Sequence, residues 1–286
     1  MTSSRQLDMP GTDAKPVIGA DSYQFLRGYI HRESGVLLDE DKHYLIEARL
    51  LPLVQQLHLG SLDALCAALR NGANPTLRRQ VVEAMVTHET LFFRDAAPFE
   101  ALRTGILPKL MEERKVTRKL AFWSAAASSG QEAYSLAMLL LDLGLSTWNI
   151  QILGTDISEP ILARARRARY MQIEVNRGLP APYLVKYFDR HGLEWEIKEH
   201  VRQMVTFEQF DLRASMKGKG PFDVILCRNV LIYFHVETKK KILRELRGAL
   251  VPGGVLLLGG AETTLNLDDS YRRVTHGSAV TYQVPL

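Results

Sequence analysis

Apolar and polar residues recur with two different periods along this chain, and the change of period divides it. From Asp21 to Met85 the apolar positions return every three to four residues, the spacing of an amphipathic helix. Phe25, Leu26, Tyr29 and Ile30 form one such stripe, with Asp21 or Ser22 placed to cap it and Gly35 to end it. A second helix is predicted over LDEDKHYLIEARLLPLVQQL, its acidic residues falling in the first turn, where they complement the helix dipole. Gly60-Ser61 introduces a third over LDALCAALR, and NGANP separates a fourth over TLRRQVVEAMV. Short connections and no strand signal make this a small helical bundle.

Beyond it the period shortens. Residues 120–142, LAFWSAAASSGQEAYSLAMLLLD, read as an apolar strand, a turn of small residues, and a helix carrying Ala133, Leu136, Ala137, Leu140 and Leu141 on one face. That is the first half of a nucleotide-binding α/β unit. Small side chains at such a turn let a ligand approach the backbone, although the spacing is not G-x-G-x-x-G. WNIQILGTDIS is a second strand, over 150–154, ending in Thr155-Asp156. Its acidic residue stands where a dinucleotide or nucleoside fold places a carboxylate able to hold both ribose hydroxyls. Ser158 is placed to cap the next helix, with Glu159-Pro160 in its first turn. NRGLPAPYLVKYF then reads as a loop and short helix, and DRHGLEWEIKEHVRQ as an inserted antiparallel hairpin turning near Gly192. VTFEQFDL resumes the sheet, and the continuous apolar run from Phe222 to Cys227 suits a strand buried on both faces. A helix over 236–250, a Pro252-Gly253-Gly254 turn, strand VLLLG and a hairpin about Gly277 complete the pattern.

Between bundle and sheet lies THETLFFRD, residues 87–95, followed by a predicted helix over 97–113. On composition alone Phe92 and Phe93 fill a seam between domains and Arg94 pairs with Asp95. The charge balance adds little: net charge is +4 over 286 residues. The clusters Arg164, Arg166, Arg167, Arg169 and Arg70, Arg78, Arg79 read as solvated helix faces that can meet acidic partners. No zinc-finger spacing or RNP-like aromatic pattern occurs, so no nucleic-acid partner is expected. No apolar run reaches membrane-spanning length and residues 1–18 lack the apolar core of a secretory signal, so they read as a flexible tail. Cys66 and Cys227, each in an apolar segment, are expected to be buried free thiols of a cytoplasmic chain, with no disulfide and no metal site.

Taken in order, Thr90 to Arg94 (a T-x-F-F-R type segment), SAAASSGQEAYS, GTDIS, NRGLPAPYLVKYF, FDVILCRNVLIYF and PGGVLLLG carry a resemblance. The chain resembles the chemotaxis-receptor glutamate methyltransferases, CheR-type enzymes of the class I S-adenosylmethionine-dependent fold. The resemblance implies an α/β, Rossmann-like doubly wound sheet with a C-terminal antiparallel hairpin, preceded by an all-helical domain. It implies a helical domain over 19–88, a linker segment and helix over 89–116, and a cofactor-binding domain over 117–286 with a β-subdomain at 187–204. Cofactor contacts then fall to Thr90, Arg94, Glu132, Asp156, Asn229 and Val230, with His88, Asp211 and Leu212 in addition. Departures from the family pattern are His88 where Asn is frequent, Gln131 where an acid is common and Ala133 where Pro is common.

The implied reaction moves a methyl group from S-adenosylmethionine to a receptor glutamate, leaving S-adenosylhomocysteine. A carboxylate of pKa about 4.3 is already ionised at neutral pH, so no general base is needed. Arg94 is expected nearest the chemistry, its guanidinium fork orienting a carboxylate of the acceptor, the cofactor or both. Tyr233 is expected to hydrogen-bond the incoming glutamate, and Glu132 to meet the cofactor's α-amino group. The implied partner is the cytoplasmic helical domain of a chemoreceptor, reached by a monomer recruited to receptor arrays without inserting into the membrane. Some family members dock on a receptor C-terminal peptide through the β-subdomain. The hairpin here is shorter and poorer in glycine than that docking loop, so docking independent of the peptide is expected. Rival readings are a related methyltransferase acting on another substrate, against which the missing prolines of an N/D-P-P-Y motif count for base amines, and a signalling-protein binding module without catalysis.

Overall fold

The computed structural model describes residues 18–72 and 74–286, and the chain divides into two compact units, Met1–Val86 and Thr87–Leu286. In the first unit four helices run Ala20–Ser34 (α1), His43–Gln56 (α2), Leu62–Arg70 (α3) and Pro75–Met85 (α4). Ser61 and Asn74 cap α3 and α4 by accepting from the amides of Ala64 and Leu77, and Gly35 ends α1 with φ 79°. Two expectations about helix starts change. Neither Asp21 nor Ser22 caps α1: the N-cap is Gly19, and the Ser22 hydroxyl is drawn to Asp63 at 2.5 Å. The acidic run before α2 stays outside that helix, because the Asp39 carbonyl accepts from the Tyr23 hydroxyl and the Lys42 amide in a turn. Leu26, Ile30, Ile46, Leu50, Leu65 and Val81 form a fully buried core. The tail expected over 1–18 lies outside the described residues except Ile18, which is buried and donates its amide to Glu47.

The second unit opens with Ala96–Ala101 (α5) and Leu107–Glu113 (α6), joined by a π-helical turn over Leu102–Ile106. Then come Lys119–Ala125 (β1), Gln131–Asp142 (α7), Asn149–Asp156 (β2), Glu159–Arg167 (α8), Arg169–Met171 (β3), Gln172–Val175 (α9) and Ala181–Tyr187 (α10). Phe188–His191 (β4), Glu194–Ile197 (β5), Glu199–Arg202 (α11), Val205–Gln209 (β6) and Phe222–Cys227 (β7) follow, then Val236–Ala249 (α12), Leu250–Leu258 (β8), Arg272–His276 (β9) and Ala279–Gln283 (β10).

The main sheet has the order β6-β2-β1-β7-β8-β10-β9. Its first five strands are parallel, and β10 lies antiparallel between β8 and β9. This is the doubly wound sheet with a terminal antiparallel hairpin expected from the sequence. The period-2 side-chain alternation sorts each central strand into two cores: Phe122, Val224 and Leu226 belong to one, Trp123, Ile225 and Cys227 to the other. With both faces covered, β7 is buried at every position, which is why its sequence shows no alternation. Both cysteines are free and buried.

The small subdomain is wider than the 187–204 hairpin. Its sheet has the order β3-β5-β4, the third strand coming from Arg169–Met171 directly after α8. Three residues are too few to show a strand period, so the sequence did not reveal it. Tyr170 of β3 is fully buried and donates its hydroxyl to the Ser129 carbonyl in the small-residue turn after β1.

Candidate active site

The strand order reverses on either side of β1, which pairs β2 on one edge and β7 on the other. In such sheets the carboxyl ends of the flanking strands leave a crevice. Here those ends deliver Ala125, Asp156 and Cys227 to one place. Trp123 Nε1 donates to Thr155 Oγ1 at 2.9 Å, and the Ala127 amide donates to the Thr155 carbonyl at 2.7 Å, so the turn after β1 is strapped to the end of β2.

Asp156 anchors that strap. Its Oδ2 accepts from the Ser128 amide and its Oδ1 from the Ser158 amide, both at 3.0 Å. The residue is 6% exposed. Burial pushes its carboxyl above the ordinary value, opposed by the Ser158 amide, the nearby His88 and the Ser128 amide. The Ile157 amide also acts on this carboxylate, whose four lone-pair sites are thus not all taken by backbone donors. Ser128 also donates its hydroxyl to the His88 carbonyl at 2.8 Å, which brings the start of the 87–95 segment to the same turn.

A second junction forms around Arg228, immediately after β7. Its side chain is 1% exposed. Nη1 donates to Glu132 Oε2 at 3.0 Å, while Nη2 donates to Asp95 Oδ2 and to the Arg94 carbonyl, both at 2.8 Å. Glu132 Oε1 accepts from Ser124 Oγ at 2.8 Å. One buried cation thus joins the first turn of α7, the end of β7 and the 87–95 segment. The expected Arg94–Asp95 pair does not form, because Asp95 is taken by Arg228. Arg94 donates Nη1 to the Glu89 carbonyl at 3.0 Å and has no ion-pair partner among the described residues. Thr90, half-buried, lies on the same segment between the anchored His88 and Arg94.

Phe92 and Phe93, expected at a seam between domains, find their packing partners within the second unit. Phe92 is fully buried, edge-on to Tyr170 at 4.9 Å and to Phe188 at 5.6 Å. Phe93 meets Phe99 and Tyr183, each at 5.0 Å, and its amide donates to Ser135 Oγ. The glycine of NRGLP has its reason here: a Cβ on Gly178 would lie 2.1 Å from the Phe92 carbonyl oxygen.

The segment following Arg228 turns sharply. Asn229 has φ 59°, a left-handed conformation uncommon for a residue with a side chain. The amides of Asn229, Val230, Leu231 and Ile232 all donate to the carboxylate of Glu262. Tyr233, half-buried, closes the 3-10 turn Leu231–Tyr233. Asp211 and Leu212 follow β6, which is tied to Asp156 by the Phe210 amide donating to the Asp156 carbonyl at 2.9 Å. The Asp211 carboxylate is engaged by Arg213 at 2.6 Å, and Leu212 packs in the core with Trp123 and Ala125. Hydrogen bonds and chain continuity therefore connect His88, Thr90, Arg94, Glu132, Asp156, Asn229 and Val230, while Asp211 and Leu212 sit one step away through Phe210.

Three residues that the sequence did not single out hold this constellation: Ser128, Arg228 and Glu262. Arg228 gave one signal, an arginine directly after the four apolar residues Val224 to Cys227 that end a strand, where a buried charge requires a buried partner.

Comparison with known proteins bears on the family of the chain. Residues 88–280 match the CheR methyltransferase SAM binding domain, and residues 21–86 the CheR methyltransferase all-alpha domain. The chain is 38% identical over 267 residues to chemotaxis protein methyltransferase Cher2 of Pseudomonas putida, covering 91% of this chain and 97% of that protein. It is 39% identical over 267 residues to chemotaxis protein methyltransferase 1 of Pseudomonas aeruginosa, with coverages of 91% and 97%. Chemotaxis protein methyltransferase 1 of Vibrio cholerae is 37% identical over 273 residues, with coverages of 93% and 98%.

Proposed function

Since the chain belongs to the CheR methyltransferase family, we propose that it methylates glutamate side chains in the cytoplasmic domains of chemoreceptors. The products are glutamyl methyl esters and S-adenosylhomocysteine. Bound S-adenosylmethionine supplies an electrophilic methyl group on a sulfonium. The residues of the crevice suit such a group: buried Asp156 offers a carboxylate to the ribose hydroxyls, and Glu132, one of two carboxylates sharing Arg228, offers negative charge toward an α-amino group.

The observation that carries the reading is Arg94. It stands beside a junction where one cation, Arg228, meets two carboxylates, Glu132 and Asp95, while its own guanidinium is ion-paired to no carboxylate among the described residues. A guanidinium so placed can take a carboxylate in its fork. The acceptor glutamate is one candidate and the methionine carboxylate of the cofactor another. Tyr233 offers a phenol to the acceptor from the turn beyond Asn229-Val230. The acceptor arrives ionised, so the site has no proton to remove. What the residues contribute is alignment and the exclusion of water from two opposite charges.

No helix among the described residues is long and apolar enough to cross a membrane. The chain acts on receptors from their cytoplasmic side, where the acceptor helices lie. The helical unit contributes basic side chains, Arg70, Arg78 and Arg79 among them, for meeting acidic receptor helices. The test is transfer of labelled methyl from S-adenosylmethionine to a purified receptor cytoplasmic domain, followed by mild base. Base-labile label on glutamate peptides is the expected result. Absence of label, or label stable to base, would sink the reading.

A further inference from the structure

We propose that Glu262 is a positioning residue for cofactor binding, its carboxylate being the template around which the turn at 229–232 folds. β8 ends at Leu258, and the following turn brings the Glu262 amide to the Gly259 carbonyl at 2.9 Å. The side chain then reaches across to the end of the neighbouring strand β7. Its Oε2 accepts from the amides of Asn229 at 2.8 Å and Gly259 at 2.7 Å. Its Oε1 accepts from Val230 at 2.9 Å, Leu231 at 2.7 Å and Ile232 at 3.3 Å.

Successive amides that converge on one point form a concavity for an anion. In this fold the anion belongs to the chain itself. Without it, converging N–H dipoles and the left-handed backbone of Asn229 are both unfavourable, and the turn has a reason to open. Gly259 completes the device: a Cβ there would lie 2.8 Å from Asn229 N, from Asn229 Nδ2 and from Glu262 Oε2. The turn so held presents Asn229 and Val230 to the crevice and sets where Tyr233 begins. Glu262 itself is not assigned a contact with the cofactor. The inference rests on the reading that Asn229 and Val230 line the cofactor site.

Two substitutions separate the template from the fold at large. Glu262→Gln keeps shape and size but has one acceptor oxygen, and its NH2 must face amide donors. Gly259→Ala keeps the carboxylate and wedges it away from the turn. Both are expected to raise the dissociation constant for S-adenosylhomocysteine in calorimetry by about tenfold, the scale of losing one hydrogen bond to a charged group. The KM for S-adenosylmethionine should rise in parallel, with thermal unfolding still cooperative. Glu262→Ala leaves a vacancy lined by amides, so formate should restore part of the binding while chloride at equal ionic strength should not. Unchanged affinity in Glu262→Gln and Gly259→Ala would overturn the proposal, as would a weakened Glu262→Ala protein that formate does not improve. Failure of the wild-type chain to bind S-adenosylhomocysteine would instead remove the underlying reading of the site.

Discussion

The arginines of the site are divided by burial. Arg228 is sealed, with both terminal nitrogens engaged and its Nε left without a partner, whereas Arg94 is half-buried and ion-paired to no carboxylate among the described residues, as the proposed role toward an incoming group requires. Their substitutions should therefore fail in different assays. Arg94→Ala should reduce receptor methylation by orders of magnitude with an unaltered unfolding curve; near wild-type turnover would take Arg94 out of catalysis. Arg228→Leu strips a buried partner from Glu132 and from the Arg94 carbonyl, and should destabilise the protein by about 3–5 kcal/mol in urea unfolding. Asp156→Ala should weaken S-adenosylhomocysteine binding in calorimetry, and an unchanged affinity would end the ribose assignment. Asp156 was legible in the sequence because it ends a strand with a clear pattern, and Asn229 because it follows such a strand by two residues. Arg228 and Glu262 were not, for a physical reason. Arg228 finds Glu132 at a sequence separation of 96 and Asp95 at 133. The partners of Glu262 are backbone amides, which every residue but proline carries, so no side-chain pattern announces them.

Among elements, α7 and the small sheet show how packing around the crevice is tied together. Asp142, the last residue of α7, accepts from Arg103 in the π-helical turn and from Tyr183 and Lys186 in α10, each at 3.1 Å. Burial alone would raise its carboxyl, but the hydrogen bonds from Lys186, Arg103 and Tyr183 outweigh it and hold the group below the ordinary 3.8. A depressed native value contributes stability that is present above the unfolded value and lost as pH falls through the native one. Wild type should accordingly exceed Asp142→Asn in stability by about 1 kcal/mol at neutral pH, and the gap should close as the solution is acidified below 3.8. A gap independent of pH would show that the charge is not what holds α7 to α10. Gly178→Ala tests a different link. The added methyl must displace the Phe92 backbone, so methyl transfer should fall although residue 178 lies outside the proposed contacts. The hairpin of β4 and β5 was visible in the sequence through its alternation; β3 was not, since its place is fixed by burial of Tyr170 against the core of the sheet.

For the whole molecule, surface charge is largely settled locally. In the arginine cluster after Asp156, Arg164 pairs Glu174, Arg166 pairs Glu159 and Arg169 pairs Glu196, in keeping with a solvated face. In the subdomain, just Gly192 and Leu193 join β4 to β5, too short a connection for an extended docking loop. Titration with a receptor C-terminal peptide should therefore show no tight binding, and a saturable high-affinity isotherm would refute docking independent of the tail.

The two buried cysteines have a consequence for following the protein in motion. Cys66 is 1% exposed in the first unit and Cys227 is fully buried at the end of β7 in the second. Burial pushes both thiols above the ordinary value, and thiolate is the form that alkylating reagents capture. Each unit thus carries its own clock, stopped while that unit is closed and started by local opening. Added S-adenosylhomocysteine should slow the labelling of Cys227, because a ligand that binds the closed state makes opening rarer. Whether the rate at Cys66 changes with it, read from a mass-spectrometric time course, measures how far occupancy of the crevice is felt in the helical unit.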